Sequence, residues 1–123
     1  MRLINCGAGE ITDRLTILAL KILIGSEQGK DVKHFTNERA ALLTKLGAQT
    51  LNGAWFAQVL ELAAVNSALW HAEDDLRQIR TTGTLEDAGT VGIRIQVLND
   101  ARAAIVQAIN EKTGEAIGVE KLS

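Results

Sequence analysis

The chain contains no proline, a single cysteine and only four aromatic residues among its 123 residues. Without proline, no residue forces a helix to break. With Cys6 as the only cysteine, an intramolecular disulfide is impossible, which suits a reducing compartment. Because aromatic residues are so few, the core must be built from aliphatic residues, as the cores of helical bundles often are. The four aromatic residues are Phe35, Trp55, Phe56 and Trp70.

Long hydrophobic runs are also missing. The most apolar stretch, residues 15–24, contains Thr16 and Lys21 and has about half of the ~20 residues that a membrane span needs. Residues 1–10 are too few and too polar to form the core of a signal peptide. We therefore expect no membrane contact and a cytoplasmic location.

The chain has no strong net charge of either sign. The net charge is −2, from 13 basic and 15 acidic residues, and the basic residues are scattered. Nucleic-acid binders usually carry a basic stripe, so we expect no nucleic-acid partner. The length suits one domain over residues 1–123, and a hydrophobic content of 46% is enough for a core.

Eleven glycines divide the chain into stretches with helical periodicity. The pattern predicts an all-α fold, an antiparallel bundle of about four helices with short extended tails. Two helices are short, at about 10–24 and 31–46, and two are long, at about 54–81 and 86–112. The loops between them are short, which favours antiparallel neighbours.

The first helix is predicted to be central because apolar residues lie on two of its faces. The third has heptad-like spacing from Leu62 to Ile79. Two helix starts carry capping signals: Asp31 as an N-cap, and Thr84 with Asp87 as a capping box. Gly89 and Gly92 leave two alternatives for the fourth helix, which either begins near Gly92 or uses both glycines for close packing.

The unequal helix lengths predict surfaces that need a cover. At about 1.5 Å per residue, the third helix is about 42 Å long and the first about 22 Å, so the long hairpin overhangs the short one. We expect the two tails to cover one end and a second subunit to cover the other. Pairing of the tails as two short strands is one way to cover that end. The tail residues are Leu3, Ile4, Cys6, Ile117, Val119 and Leu122. The chain is therefore predicted to be a homo-oligomer, most simply a homodimer.

One set of polar residues falls on faces that should be buried or half-buried. Its members are Glu10, Asp13, Arg14, Asn66, Trp70, Glu73, Asp74, Arg77, Asn99, Asp100 and Arg102. The favoured interpretation of this polar layer is structural. Glu73 with Arg77, and Glu10 with Arg14, are pairs four residues apart that stabilise helices. Asn66 and Asn99 would be core residues that fix helix register.

The alternative interpretation is a metal site. Glu10 and Asp13 share one face of the first helix, and Glu73 and Asp74 would add carboxylates of the kind that Mg²⁺ or Mn²⁺ binds. All-α nucleotide pyrophosphohydrolases use such clusters, an analogy of fold class only. Gly7-Ala8-Gly9 lacks the Lys-Ser/Thr of a phosphate-binding loop and is interpreted as a turn. No cofactor is expected.

Several segments resemble a small all-helical bacterial family of unknown function. They are Gly9–Leu18 (GEITDRLTIL), Val65–Asp74 (VNSALWHAED), Leu98–Arg102 (LNDAR), Ile109–Glu111 and Glu120–Lys121. The family pattern is GE-x-x-D-[RK]-LTIL, then N-x-x-LW-x-x-ED, then ND-x-R before a final IN. The resemblance implies that the polar layer belongs to a family pattern, without supplying a role for it. Ala19-Leu20 departs from the charged residue usual there.

Two functions follow as hypotheses. The first is a non-enzymatic interaction or assembly module that acts as a homo-oligomer with a protein partner. The second is a metal-dependent hydrolase of nucleotides or phosphate esters, built on Glu10, Asp13, Glu73 and Asp74.

Overall fold

The computed structural model describes residues 7–47 and 52–113, which form four α-helices. The helices are α1 (Ala8–Glu27), α2 (Lys33–Leu46), α3 (Gly53–Thr82) and α4 (Leu85–Thr113). The predicted all-α class and the number of helices are confirmed, and the predicted ends differ by at most three residues. The tails expected to pair as strands lie outside the described residues.

Of the two predicted capping signals, the one before α4 forms as predicted, and the one before α2 is displaced by one residue. Asp31 is not the N-cap of α2: Val32 is, and the Asp31 carboxylate accepts a hydrogen bond from the Lys33 amide at 2.9 Å. The capping box before α4 is confirmed. The Asp87 amide donates to the Thr84 hydroxyl at 3.1 Å, and the Thr84 amide donates to the Asp87 carboxylate at 3.4 Å.

Gly89 and Gly92 lie inside α4, so the helix does not begin at Gly92. A Cβ built on either glycine meets no atom within 4 Å. Close packing therefore does not explain them either, and both alternatives drawn from the sequence are wrong. The close approach occurs instead at Gly9 in α1, where an added Cβ would overlap the carbonyl oxygen of Val106 on α4.

The first helix is central, as predicted, because α1 packs against each of the other three helices. Its amino end lies beside the carboxyl end of α4, where Gly9 meets Asn110, and Asp13, one turn further along α1, meets Arg102, which comes earlier in α4. These contacts make α1 and α4 antiparallel. The helices α1 and α2 are antiparallel too, because only the short 28–32 turn connects them, and Arg14 of α1 binds Glu38 of α2.

The hydrophobic core surrounds α1 and lies towards its amino end. It is aliphatic, as the scarcity of aromatic residues requires, and Phe35 and Trp55 pack only at its margin. Burying such side chains is the main favourable contribution to folding. The buried core residues are Ala8, Ile11, Leu18, Leu42, Leu46, Leu62 and Ile109.

The α3–α4 hairpin is covered over only part of its length. Between Glu73 and Ala108 no residue is fully buried, although the segment contains many aliphatic side chains. Leu85, Ile93 and Val97 are among the exposed ones. Within residues 7–47 and 52–113, no helix combines the length and the apolar character needed to cross a membrane.

Candidate functional site

Asp13 lies at the centre of a buried polar network between α1, α3 and α4. Only 7% of the residue is exposed. The Arg102 side chain from α4 donates to both carboxylate oxygens: its Nε lies 2.9 Å from Oδ1 and 3.0 Å from Oδ2, and its Nη2 lies 2.6 Å from Oδ2. This fork-like geometry is the strongest way for an arginine to bind a carboxylate.

Asn66 of α3 completes the network and is 4% exposed. Its side-chain amide donates to Asp13 Oδ1 at 2.9 Å and to the Thr16 hydroxyl at 2.8 Å. Thr16 in turn donates to the Asp13 carbonyl oxygen at 2.7 Å. The core position predicted for Asn66 is thus confirmed. Its contacts join α3 to α1 at one height, which suits a residue that fixes helix register.

Charge in the network is balanced locally. Hydrogen bonding to Asp13 raises the pKa of the Arg102 guanidinium above its ordinary value, and the charge of nearby Glu73 acts in the same direction. Burial of the guanidinium acts in the opposite direction and lowers its pKa. Glu73, Trp70 and Lys21 line a small pocket of about 180 Å³ beside Arg102. Since the Asp13 oxygens already accept from Arg102 and Asn66, the network is suited to holding helices together rather than to chemistry.

A second polar contact fixes the amino end of α1. The Gly9 amide donates to Asn110 Oδ1 at 2.7 Å, and Asn110 Nδ2 donates to the Glu10 carboxylate at 2.7 and 3.1 Å. The Gly7-Ala8-Gly9 segment is therefore occupied by a side chain of α4. Gly7 is the N-cap of α1, which is consistent with a turn at the helix start.

Arg14 does not pair with Glu10, contrary to the sequence prediction. Its guanidinium binds Glu38 of α2 through two hydrogen bonds of 2.7 and 2.9 Å. Hydrogen bonding from Arg14 lowers the pKa of Glu38 below its ordinary value, and the charge of Lys21 adds to this against the effect of burial. The pairing is wrong because Arg14 reaches across to α2, while Glu10 points to Asn110 on α4.

The remaining predicted residues lie away from this network. Arg77 pairs with Asp74, three residues away, rather than with Glu73 as predicted, and the pair is exposed. Asn99 is exposed on α4, so the prediction that it is a core residue is wrong. Asp100 is exposed as well. The side of α4 that faces the core at this height carries Arg102 instead.

The four carboxylates of the metal-site alternative are not brought together. Asp13 binds Arg102, Asp74 binds Arg77 and Glu10 accepts from Asn110. In the part of the chain that the structure describes, no three histidine, cysteine, aspartate or glutamate side chains are placed to hold one metal ion.

Sequence patterns did not single out four polar side chains that the structure places in these contacts. They are Thr12, Thr16, Glu38 and Asn110. Each binds a partner on another helix or a carbonyl one turn away. Thr12, Thr16 and Asn110 lie within the motif segments, but the motifs do not show which group each side chain binds. Thr12, for example, donates to the Ala8 carbonyl at 2.7 Å and accepts from the Trp55 indole at 3.3 Å.

Two surface depressions accompany the network. The first, the α1–α3 groove, has a volume of about 360 Å³. Its lining is Thr12, Leu15, Thr16, Ala19, Leu20, Leu23, Trp55, Val59 and Ala63. The second, the turn cleft, has about 540 Å³ and includes the predicted residues Trp70, Asp74 and Arg77. The rest of its lining is Lys21, Ile24, Gly25, Gln28, Lys30, Asp31, Val32, His34 and Phe35.

Comparisons of the chain with protein-family models, with curated protein sequences and with solved structures find no match. The family resemblance drawn from the sequence motifs therefore stays a prediction. Functional proposals for this chain rest on the network, the groove and the cleft themselves.

Proposed function

We propose that this chain is a non-enzymatic helical interaction module that acts as a homodimer, with two copies joined through the α1–α3 groove. The observation that carries the proposal is an apolar groove between two helices that both carry large exposed apolar side chains. Leu23 on α1 is 58% exposed, and Phe56 and Leu60 on α3 are each 56% exposed.

The groove offers water few hydrogen-bonding partners. None of its lining residues is charged, and only two have hydroxyl groups. Thr12 donates to the Ala8 carbonyl and Thr16 to the Asp13 carbonyl, so both hydroxyls are used within α1. Contiguous apolar surface of this kind is typical of protein interfaces, since covering it is favourable by about 25 cal/mol per Å².

A second copy of the chain is the proposed partner. On α3, Phe56 and Leu60 are exposed and each follows directly after a residue of the groove lining, Trp55 and Val59. In the proposed dimer, a twofold axis places the groove of each copy against the same surface of the other, as an isologous interface requires. The uncharged lining gives no electrostatic preference for a partner of opposite charge.

The polar layer supports a non-enzymatic role. Its buried carboxylate, Asp13, is bound by Arg102 and Asn66, and the amide of Asn110 is used on both sides. Groups held in this way stabilise one arrangement of the helices. A cytoplasmic location belongs to the same proposal and is supported by the single cysteine of the sequence.

The proposal is tested by placing one charge on the groove face and, as a matched control, one elsewhere. Leu23→Glu adds a carboxylate to the groove lining, and Leu85→Glu makes the same change at the exposed start of α4, where Leu85 is 90% exposed. Sedimentation velocity should give a dimer for the wild type and for Leu85→Glu, and a monomer for Leu23→Glu. Circular dichroism should show the same helix content in all three.

A dimer that persists in Leu23→Glu contradicts the groove as the interface. Leu60→Glu, which alters an exposed position on α3 next to Val59 of the lining, guards against a local effect at one position. Both substitutions are made at exposed sites and are expected to leave the fold of each chain intact.

A further inference from the structure

The turn cleft lies where the carboxyl end of α1, the α1–α2 turn and the middle of α3 meet. Its volume of about 540 Å³ falls within the range of sites that enclose small molecules, about 300–1,000 Å³. It shares no lining residue with the α1–α3 groove. Anything that binds in the cleft therefore leaves the proposed dimer surface open.

The cleft has more positive than negative charge, and its carboxylates are already engaged. Its charged lining consists of Lys21, Lys30 and Arg77 against Asp31 and Asp74. Asp74 binds Arg77, and Asp31 accepts from a backbone amide at the start of α2. Among the residues described, neither Lys21 nor Lys30 forms a salt bridge. Two ammonium groups are thus available to an anion.

Two half-buried aromatic rings from different helices accompany these cations. Phe35 comes from α2 and Trp70 from α3. The Lys21 ammonium lies 5.3 Å from the centre of the Phe35 ring, a cation–π distance that holds it beside the cleft. The Trp55 indole donates to Thr12, whereas within residues 7–47 and 52–113 the Trp70 indole makes no hydrogen bond.

We infer that the turn cleft binds a small organic anion that carries a planar ring. The ring contacts Trp70 and Phe35, and the anionic group, a carboxylate or a phosphate, pairs with Lys21 and Lys30. An inorganic ion would leave the aromatic rings and most of the volume unused, and a neutral ring would leave both ammonium groups without a counter-charge. The inference is independent of the dimer.

Trp70 reports binding directly once the other tryptophan is removed. In a Trp55→Phe background, Trp70 is the only tryptophan of the chain. Its fluorescence is titrated with adenosine monophosphate and with nicotinate, a ring with a phosphate and a ring with a carboxylate. The neutral controls are adenosine and nicotinamide, and the controls without a ring are inorganic phosphate and acetate.

At least one of the two ring-bearing anions should change the Trp70 fluorescence saturably. It should bind about tenfold more tightly than its neutral counterpart and than its counterpart without a ring. Which anion binds more tightly distinguishes a phosphate site from a carboxylate site. Lys21→Met and Lys30→Met, made in the same background, should each weaken binding several-fold, while Lys45→Met, at the opposite end of α2, should not.

Three results would overturn the inference. The first is no saturation by either ring-bearing anion up to about 10 mM. The second is a neutral ring that binds as tightly as its anionic counterpart, because the lysines would then have no role. The third is inorganic phosphate or acetate that binds as tightly as the ring-bearing anion, because the aromatic rings would then have no role. Lys30 is exposed, so Lys30→Met keeps the test valid even if Lys21→Met alters folding.

Discussion

Arg102 binds both carboxylate oxygens of Asp13 across 89 positions of sequence, and Asn66 from a third helix donates to the same carboxylate. The contact joins α1, α3 and α4 in one layer. Because the Asp13 side chain is nearly buried, removing either partner leaves the charge of the other without compensation and destabilises the fold. Its predicted consequences concern stability rather than activity.

Removing the carboxylate should cost much more at Asp13 than at an exposed pair. Asp13→Ala leaves Arg102 partly buried without its counter-charge and Asn66 without an acceptor, and should lower the free energy of unfolding by about 3 kcal/mol. Asp74→Ala breaks the exposed pair with Arg77 and should cost less than about 1 kcal/mol. Urea denaturation measures both. Equal losses would mean that the network contributes little.

The same change at two helical glycines should have opposite effects. Gly9→Ala places a Cβ against the Val106 carbonyl and 2.9 Å from Asn110 Oδ1, so α1 and α4 must move apart and the protein is destabilised. Gly89→Ala meets open space and should stabilise by up to about 1 kcal/mol, since alanine is the better helix former. Thermal unfolding of the two variants decides. A Gly9→Ala protein as stable as the wild type would rule out the close approach.

The Arg14–Glu38 pair should make stability depend on pH in the acidic range. Because hydrogen bonding from Arg14 lowers the folded-state pKa of Glu38 below its ordinary value of 4.5, the ionised form favours folding. This stabilisation is fully present above the unfolded-state pKa and is lost as the pH falls through the folded-state pKa. Glu38→Gln should therefore be less stable than the wild type near neutral pH, with the difference shrinking in acid.

Arg14→Gln provides the control for that prediction. Without Arg14, the substitution Glu38→Gln should have little further effect at any pH, because the pair acts as a unit. Thermal midpoints of the four proteins in the double-mutant cycle, taken at several pH values, give the coupling. If the difference in thermal midpoint between the wild type and Glu38→Gln is the same at every pH, the contact with Arg14 does not lower the pKa of Glu38.

The helices were predictable from the sequence because periodicity and caps are local signals. Leu62, Leu69 and Ala72 follow the heptad-like spacing and are buried as expected, and the Thr84–Asp87 capping box forms. Gly89 and Gly92 were misleading. The rest of α4 and its capped start outweigh the cost of about 1 kcal/mol for each glycine, so the helix runs through both.

Partners across helices were less predictable, since a polar residue on a helix has several neighbours within reach. The pairing of Arg14 with Glu10 satisfied the four-residue rule, but Glu38 of α2 offered a two-bond contact. Asn110 appeared only as part of a motif. Its role depends on Gly9 coming within 2.7 Å, which is set by how closely α1 and α4 pack.

The mass of the wild-type chain in solution tests the proposed homodimer most directly. Sedimentation equilibrium over a wide range of concentrations should give twice the 13.2 kDa of a single chain, with dissociation only on strong dilution. The α1–α3 groove, with the exposed Leu23 in its lining, would then be the surface to map. A mass of one chain at every concentration would contradict the account, because the apolar groove would then remain uncovered in the isolated protein.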